Sequence, residues 1–313
     1  MAQVALGIDI GGTAVKLGRV TAAGDVVAED EIPSPVDASP ETFARTVATA
    51  ARSLCDDATR VGVGCAGLVS SARGIVHTSP NLPRWKEVGL GDLITQELGL
   101  PTRVLNDANA VALAEACIGA GRGHTPVVAF TLGTGVGGAI VSEGHLFGGL
   151  HGFAGEIGHM SIDQNGPGCA CGNRGCLELY VGKRGIVAGY LEHTSWNAGL
   201  PAFELVGGDR EALTPKILVE AAQGGDEAAR DALALAGRRL GGALANVMNL
   251  LDVGIFVAGG GVAQAGDLIL DPARRVLRER AMAPAALVAP IVPATLGVRA
   301  GVIGAALFGL EGT

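Results

Sequence analysis

Aromatic side chains are scarce in this chain. Two Trp, two Tyr and seven Phe serve 313 residues, which argues against a platform for stacking nucleic-acid bases. Positive charge is in deficit as well. Lys and Arg number 23 against 31 Asp and Glu, a net charge of −8, so a surface built to coat nucleic acid is not expected. Long apolar runs are also missing. The first, Val4–Ile8, meets Asp9 at once and is too short for the core of a signal peptide. The most apolar later stretch, Leu240–Val262, is broken by Asn246, Asn249 and Asp252. It reads as a buried helix and a buried strand, not as a membrane span. A cytoplasmic protein without a nucleic-acid or membrane partner is expected. The six cysteines are not spread as a secreted disulfide framework would be: Cys169, Cys171 and Cys176 crowd into eight residues, and Cys55, Cys65 and Cys117 stand singly.

What the chain has in excess is glycine, 50 of 313 residues, with 48 % of residues apolar. The glycines follow no triplet period, which excludes collagen, and so apolar a chain is not a disordered one. They point to tight turns and to close approach of backbone to ligand. The length suggests two domains of ~100–200 residues each.

Apolar runs and glycine turns alternate along the chain. Val4–Ile10, Ala14–Val20 and Asp25–Ile32 read as strands, and Ser39–Leu54 as a helix capped by Ser39. Val61–Val69 and Thr102–Leu105 read as strands and Ala108–Gly119 as a helix. Val127–Leu132 and Ala139–Ser142 flank a second glycine turn, repeating the plan of the first block. Helices are expected over Leu179–Leu191, Pro215–Gln223, Asp226–Leu251, Asp267–Arg280 and Gly301–Gly309, with a buried strand over Val253–Ala258. Strands alternating with helices predict an α/β architecture. Two domains are expected. The smaller spans 1–120 and is completed by a helix at about 300–313; the larger spans 121–299, with a hinge at Gly119–Gly123.

Asp9-Ile10-Gly11-Gly12-Thr13 lies between two strands, with Lys16 just beyond. Glycines let backbone N–H groups approach an anion, and threonine adds a hydroxyl donor. Asp9 is placed to hold a magnesium ion, directly or through water. Gly133-Thr134-Gly135 offers a similar grip. Each turn alone is equally a plain hairpin connection. Neither is a Walker P-loop, and Gly133-x-Gly135-x-x-Gly138 leads into a strand where a dinucleotide fold needs a helix. Gly259-Gly260-Gly261, after a buried strand, would let backbone lie against a flat ring or sugar.

Cys169, Cys171 and Cys176, with His159 ten residues upstream, supply three sulfurs and an imidazole. That set suits a closed, structural zinc site; free or disulfide-bonded cysteines are the competing reading. Glu156 and Glu178 flank the ligands. One metal would thus pin two carboxylates that can accept hydrogen bonds from a polyhydroxylated ligand. Asp107, in Leu105-Asn106-Asp107-Ala108-Asn109, ends a strand and opens a helix. It reads either as a helix N-cap or as the base that takes a proton during phosphoryl transfer.

Together these segments resemble the ROK family, in particular its glucokinase-like sugar kinases. The resemblance rests on Asp9–Lys16, Leu105–Asn109, Leu132–Gly138, Gly155–His159, Gly168–Glu178 and Ala258–Gly261, in family order. It implies an actin/hexokinase-like fold, with a ribonuclease-H-like core in each domain and a cleft between them, binding a hexose and ATP with Mg²⁺. It implies Asp107 as the base at the sugar 6-hydroxyl. Gly67, Asn81, Asn106, Glu156, His159 and Glu178 would lie at the sugar. Gly11, Gly12, Thr13, Thr134 and Gly135 would surround the phosphates, and Gly260 and Gly261 would lie near the adenosine. A dimer or tetramer is also implied. The sequence departs from many relatives at Leu179-Tyr180-Val181-Gly182 and at Ala139. Glucose is the expected acceptor, with N-acetylmannosamine, mannose, fructose or allose as alternatives, and a non-catalytic sugar sensor as another class. The family's repressors carry a DNA-binding segment ahead of the first glycine turn; only eight residues precede Asp9 here, which disfavours that role.

Overall fold

The structure, a computed structural model, describes residues 3–284 and 287–311. Met1 and Ala2, and the last two positions of the helix expected at about 300–313, lie outside the described residues. In chain order the elements are β1 (Val4–Ile10), β2 (Ala14–Thr21), β3 (Val26–Pro33), α1 (Pro40–Ala51), β4 (Arg60–Cys65), β5 (Leu68–Ser70), β6 (Ile75–Thr78) and β7 (Lys86–Val88). Then come α2 (Leu90–Leu98), β8 (Thr102–Asn106), α3 (Asp107–Cys117), β9 (Val127–Leu132), β10 (Val136–Ser142) and β11 (His145–Leu146). The remainder is α4 (Glu178–Val181), α5 (Lys183–Glu192), α6 (Pro201–Leu205), α7 (Pro215–Gln223), α8 (Glu227–Leu251), β12 (Ile255–Gly259), α9 (Asp267–Arg280), β13 (Ile291–Pro293) and α10 (Ala300–Leu310).

The first five-stranded sheet has the order β3-β2-β1-β4-β8, an antiparallel meander continued by parallel strands. A second sheet, β11-β10-β9-β12-β13, repeats that order, and β5-β6-β7 form a small third one. The chain forms two compact units. One holds the chain up to Ala129, Ala139–Gly155 and the chain from Ala294 on; the other holds Phe130–Gly138 and Glu156–Pro293.

In the first unit α1 begins as its sequence dictates: Ser39 caps it by accepting from the Thr42 N–H, and Pro40 occupies the first turn. Phe43 from this helix is fully buried and meets Trp85 edge to face at 5.0 Å. The helix α10 lies on β1 and β4 so closely that a Cβ at Gly7 or Gly62 would run into the carbonyls of Val302 and Ala305. Glu115, fully buried in α3, fixes the approach to α10. Its carboxylate accepts from the Thr295 and Leu296 N–H groups at 2.8 and 2.7 Å, from the Thr295 hydroxyl at 3.2 Å and from the Ala120 N–H at 2.9 Å. Four donors offset the cost of burying that carboxylate.

In the second unit α8 and α9 lie side by side, and Gly237 and Gly241 of α8 face the backbone of Ile269 and Ala273. Asp226 caps α8 through the Ala229 N–H and also accepts from the buried Tyr190 hydroxyl at 3.0 Å.

Two expected elements come out divided. The stretch Val61–Val69 is two strands, because Gly67 takes a φ of +118° and turns the chain. The helix expected over Leu179–Leu191 is α4 and α5, separated by Gly182 in an extended conformation. No helix among the described residues is long and apolar enough to cross a membrane.

Candidate active site

The first unit gathers its polar site residues at one edge of the sheet. β1, β4 and β8 run parallel, pairing Asp9 with Gly64 and Ile10 with Cys65, and Gly64 with Leu105 and Cys65 with Asn106. Their carboxyl ends therefore coincide, the edge where α/β sheets present ligand groups. Gly64 lies between two acids; a Cβ there would be 3.8 Å from both the Asp9 Oδ1 and the Asp107 Cα. Burial, then the nearby negative charge of Asp107, raise the Asp9 carboxyl to about 6, with Lys16 opposing. Burial also raises Asp107, opposed by backbone hydrogen bonds at the start of α3.

The cap of α3 is Asn106, not Asp107. Asn106 Oδ1 accepts from the Ala108 and Asn109 N–H groups at 2.8 and 3.2 Å, and its Nδ2 donates to the Gly67 carbonyl at 2.9 Å. This leaves the Asp107 carboxylate, in the first helical turn, free of the capping task. The first glycine turn closes with the Gly11 N–H on the Ala14 carbonyl, before Thr13 leads into β2. Asn81 stands over Gly12, where an added Cβ would lie 3.2 Å from the Asn81 side chain. Lys16 is turned elsewhere: its Nζ donates to the Val298 carbonyl at 3.4 Å.

The second unit builds a separate group around the cysteine loop. One ligand atom from each of His159, Cys169, Cys171 and Cys176 lies within 4.8 Å of all the others. Cys171 and Cys176 sulfurs are 3.6 Å apart, and Cys169 Sγ is 3.8 Å from His159 Nδ1. Tetrahedral zinc–thiolate bonds of ~2.3 Å would set sulfurs roughly 3.7 Å apart, so the donor set fits that ion. Burial and its two sulfur neighbours push the Cys176 thiol up to about 12, a crowding that a divalent cation would relieve. Because His159 turns Nδ1 toward the sulfurs, Nε2 is left for a second partner.

Glu178, the first residue of α4, links this cluster to the second glycine turn. Its Oε1 is 3.7 Å from His159 Nδ1 and accepts from the Cys169 thiol at 3.4 Å, while Oε2 accepts from the Val136 N–H at 3.5 Å. A Cβ at Gly135 would come 2.7 Å from that same Oε2, so a side chain there would displace the Glu178 carboxylate. The turn is closed by the Gly133 N–H on the Gly135 carbonyl, and the Lys183 N–H donates to the Gly133 carbonyl at 2.8 Å. Thr134 lies beside Gly182, and Glu156 immediately precedes the 3-10 turn Ile157–His159. Gly260, at φ +87°, packs against the backbone of Leu132, just ahead of the turn.

A cavity of about 380 Å³ opens beside this turn and is lined by Gly133, Gly261, Thr214, Gln264 and two lysines, Lys183 and Lys216. It thus joins two segments marked by their glycines. The lysines were not legible in advance, because single cations behind Gly182 and Pro215 carry no distinguishing spacing.

A model of the ROK family matches residues 5–311. A glucokinase from Thermotoga maritima is 34 % identical over 310 residues, covering 96 % of this chain and 95 % of that protein. An N-acetylmannosamine kinase from Escherichia coli is 34 % identical over 303 residues, covering 96 % and 97 %. A crystal structure of a ROK family glucokinase from Streptomyces griseus, in complex with glucose and AMPPNP, superposes with a TM-score of 0.80. It is 35 % identical and covers 99 % of this chain and 100 % of that one.

Proposed function

The chain belongs to the ROK family, and from that premise we propose that it is a hexose kinase transferring the terminal phosphoryl group of ATP to the 6-hydroxyl of glucose. The observation that carries this reading is the match to glucokinases along 96 % of the chain. Within it stand a carboxylate relieved of capping, two glycine turns and a Cys/His cluster.

Asp107 is the base. Its ionised carboxylate takes the proton from the sugar O6 as the O6–phosphorus bond forms and the bond to the leaving ADP oxygen breaks. In a loose transition state the proton moves late, so a carboxylate of modest basicity suffices, and burial of Asp107 adds to that basicity. Asn106 positions Asp107 through the α3 cap, and Gly67 holds Asn106. The N–H groups of Gly12 and Gly135, with the Thr13 and Thr134 hydroxyls, hold phosphate oxygens, while Gly11 and Gly133 close the two turns through their own N–H groups. Lys183 and Lys216 add charge, and Gly260 and Gly261 admit the adenosine. Magnesium accompanying the nucleotide supplies charge neutralisation on its phosphates, and Asp9 would hold it directly or through water.

Asn81, Glu156 and the His159 Nε2 hold sugar hydroxyls. Glu178 contributes by holding the second glycine turn through the Val136 N–H. Zinc held by His159, Cys169, Cys171 and Cys176 would brace this arrangement; with all four positions filled by protein it has no open site for water.

The N-acetylmannosamine kinase shares the same 34 % identity with this chain as the glucokinase does, over slightly fewer residues, and it motivates a second acceptor. A coupled assay of ADP release should be run with glucose, N-acetylmannosamine, mannose, fructose and allose. Glucose should give the highest kcat/KM. A higher value with N-acetylmannosamine would transfer the assignment to that sugar. Absence of ADP release with every sugar would overturn the kinase reading and leave a sugar sensor.

A further inference from the structure

The second unit carries another cavity, of about 430 Å³, with no residue of the second glycine turn in its lining, and three of its lining side chains are arginines: Arg238, Arg239 and Arg280. Among the described residues no carboxylate lines it. Arg19, Arg45, Arg103, Arg230, Arg274 and Arg299 each have a carboxylate within ion-pair distance. Arg238, Arg239 and Arg280 belong to the larger set of described arginines that have none, and these three are gathered in one cavity.

The guanidinium groups are placed by specific packing. Arg238, Arg239, Gly242 and Asn246 follow one another on one side of α8 at helical spacing. The Arg239 guanidinium lies 4.5 Å from the centre of the Tyr180 ring, which orients its planar fork. Arg280, the last residue of α9, rests on Gly242; a Cβ at that glycine would come 3.3 Å from its Nη1. The carboxyl end of α9 stabilises Arg280, but Arg238 and Arg239 sit in the middle of α8, where no helix end offsets their repulsion. Ser161 closes the cavity from the cysteine loop, where its backbone pairs with that of Cys176. The nearest acid of that loop, Asp163, already accepts from the Tyr180 hydroxyl and the Asn165 N–H.

We propose that this cavity binds a phosphate-bearing anion, with Arg238, Arg239 and Arg280 matching its oxygens in forked pairs and Ser161 and Asn246 adding neutral donors. Guanidinium groups suit this ligand because they are always charged and bind phosphate through two parallel N–H donors. The volume admits a phosphorylated sugar or a short polyphosphate. The same chemistry is offered by a sugar phosphate, a polyphosphate chain or free phosphate. The inference stands on this cavity and does not depend on the reading of the active site.

Calorimetric titration tests it, using wild-type protein already mixed with glucose and AMPPNP to occupy the glycine-turn site. The probes are glucose 6-phosphate, tripolyphosphate and inorganic phosphate, each at low and at raised salt. At least one probe should bind at one equivalent per chain, about tenfold more weakly at raised salt. The double variant Arg238→Gln/Arg280→Gln should lose that binding while keeping its rate of ADP release. The single variant Arg238→Gln, at an exposed position, gives the same reading if the double variant misfolds. The strongest probe identifies the ligand class. Two results overturn the proposal: no probe binding tighter than about 1 mM, or unchanged affinity in the variants. A change of oligomeric state in the variants without a change in anion binding also overturns it, because the arginines would then serve a second copy of the chain.

Discussion

Asn106 and Asp107 divide two tasks that neighbouring polar residues at a helix start can each perform. Asn106 spends its amide on the α3 cap and the Gly67 carbonyl, which leaves the Asp107 carboxylate outside that cap and available for the proposed role as base. Asp107→Asn should therefore lower kcat by about 10²–10⁴-fold. The melting temperature and glucose KM should barely move; steady-state kinetics beside a thermal melt checks both, and retained turnover would remove Asp107 as the base. Asp9 makes a prediction in pH. Its carboxyl is raised from 3.8 to about 6, so between those values the folded state binds more protons than the unfolded one. Stability contributed by this group falls as pH rises through that window. The shift of roughly two units corresponds to at most ~3 kcal/mol. Asp9→Asn should stabilise the ligand-free protein at pH 7.5 and leave it nearly unchanged at pH 4, as urea unfolding at the two pH values will show. At this scale the sequence was most legible where residue type fixes chemistry, as in the Cys/His cluster. It was silent on which of two adjacent residues caps a helix, because Asn and Asp serve equally well there.

The cysteine loop and α10 show what holds elements in place. If the cluster holds the proposed zinc, chelation should lower the melting temperature by roughly 5–10 °C and raise the glucose KM, since His159 is one of its four ligands and Glu178 lies against Cys169. Metal analysis of untreated protein should find one zinc per chain. For α10, Gly62→Ala should destabilise the protein by about 1–3 kcal/mol in chemical unfolding, because its methyl group would meet the Ala305 carbonyl. Boundaries set by side-chain signals were readable: Ser39 caps α1 and Asp226 caps α8. Boundaries set by a glycine's backbone angle were not. Gly67 splits one apolar run into two strands, and Gly182 splits one helix into two. The short helix α2 carries no such signal, because Gly89 begins it without a side-chain cap.

The two five-stranded sheets share one strand order, and the repeated strand–glycine turn–strand plan announced that likeness in the sequence. The sequence reading also assigned the last helix to the smaller, N-terminal domain, although α10 is apolar on nearly every side and its own pattern names no partner. What it covers is β1 and β4, which hold Asp9 and Gly64. Roughly 190 residues separate the end of β8 from α10, about 10–40 s of synthesis at 5–20 residues per second. Throughout that interval the first sheet has left the ribosome with one apolar face bare, since α10 is translated after it. The intervening residues can settle first, and the first sheet must wait for α10. Nascent chains stalled before Ala300 should accordingly recruit chaperones, and full-length chains should release them.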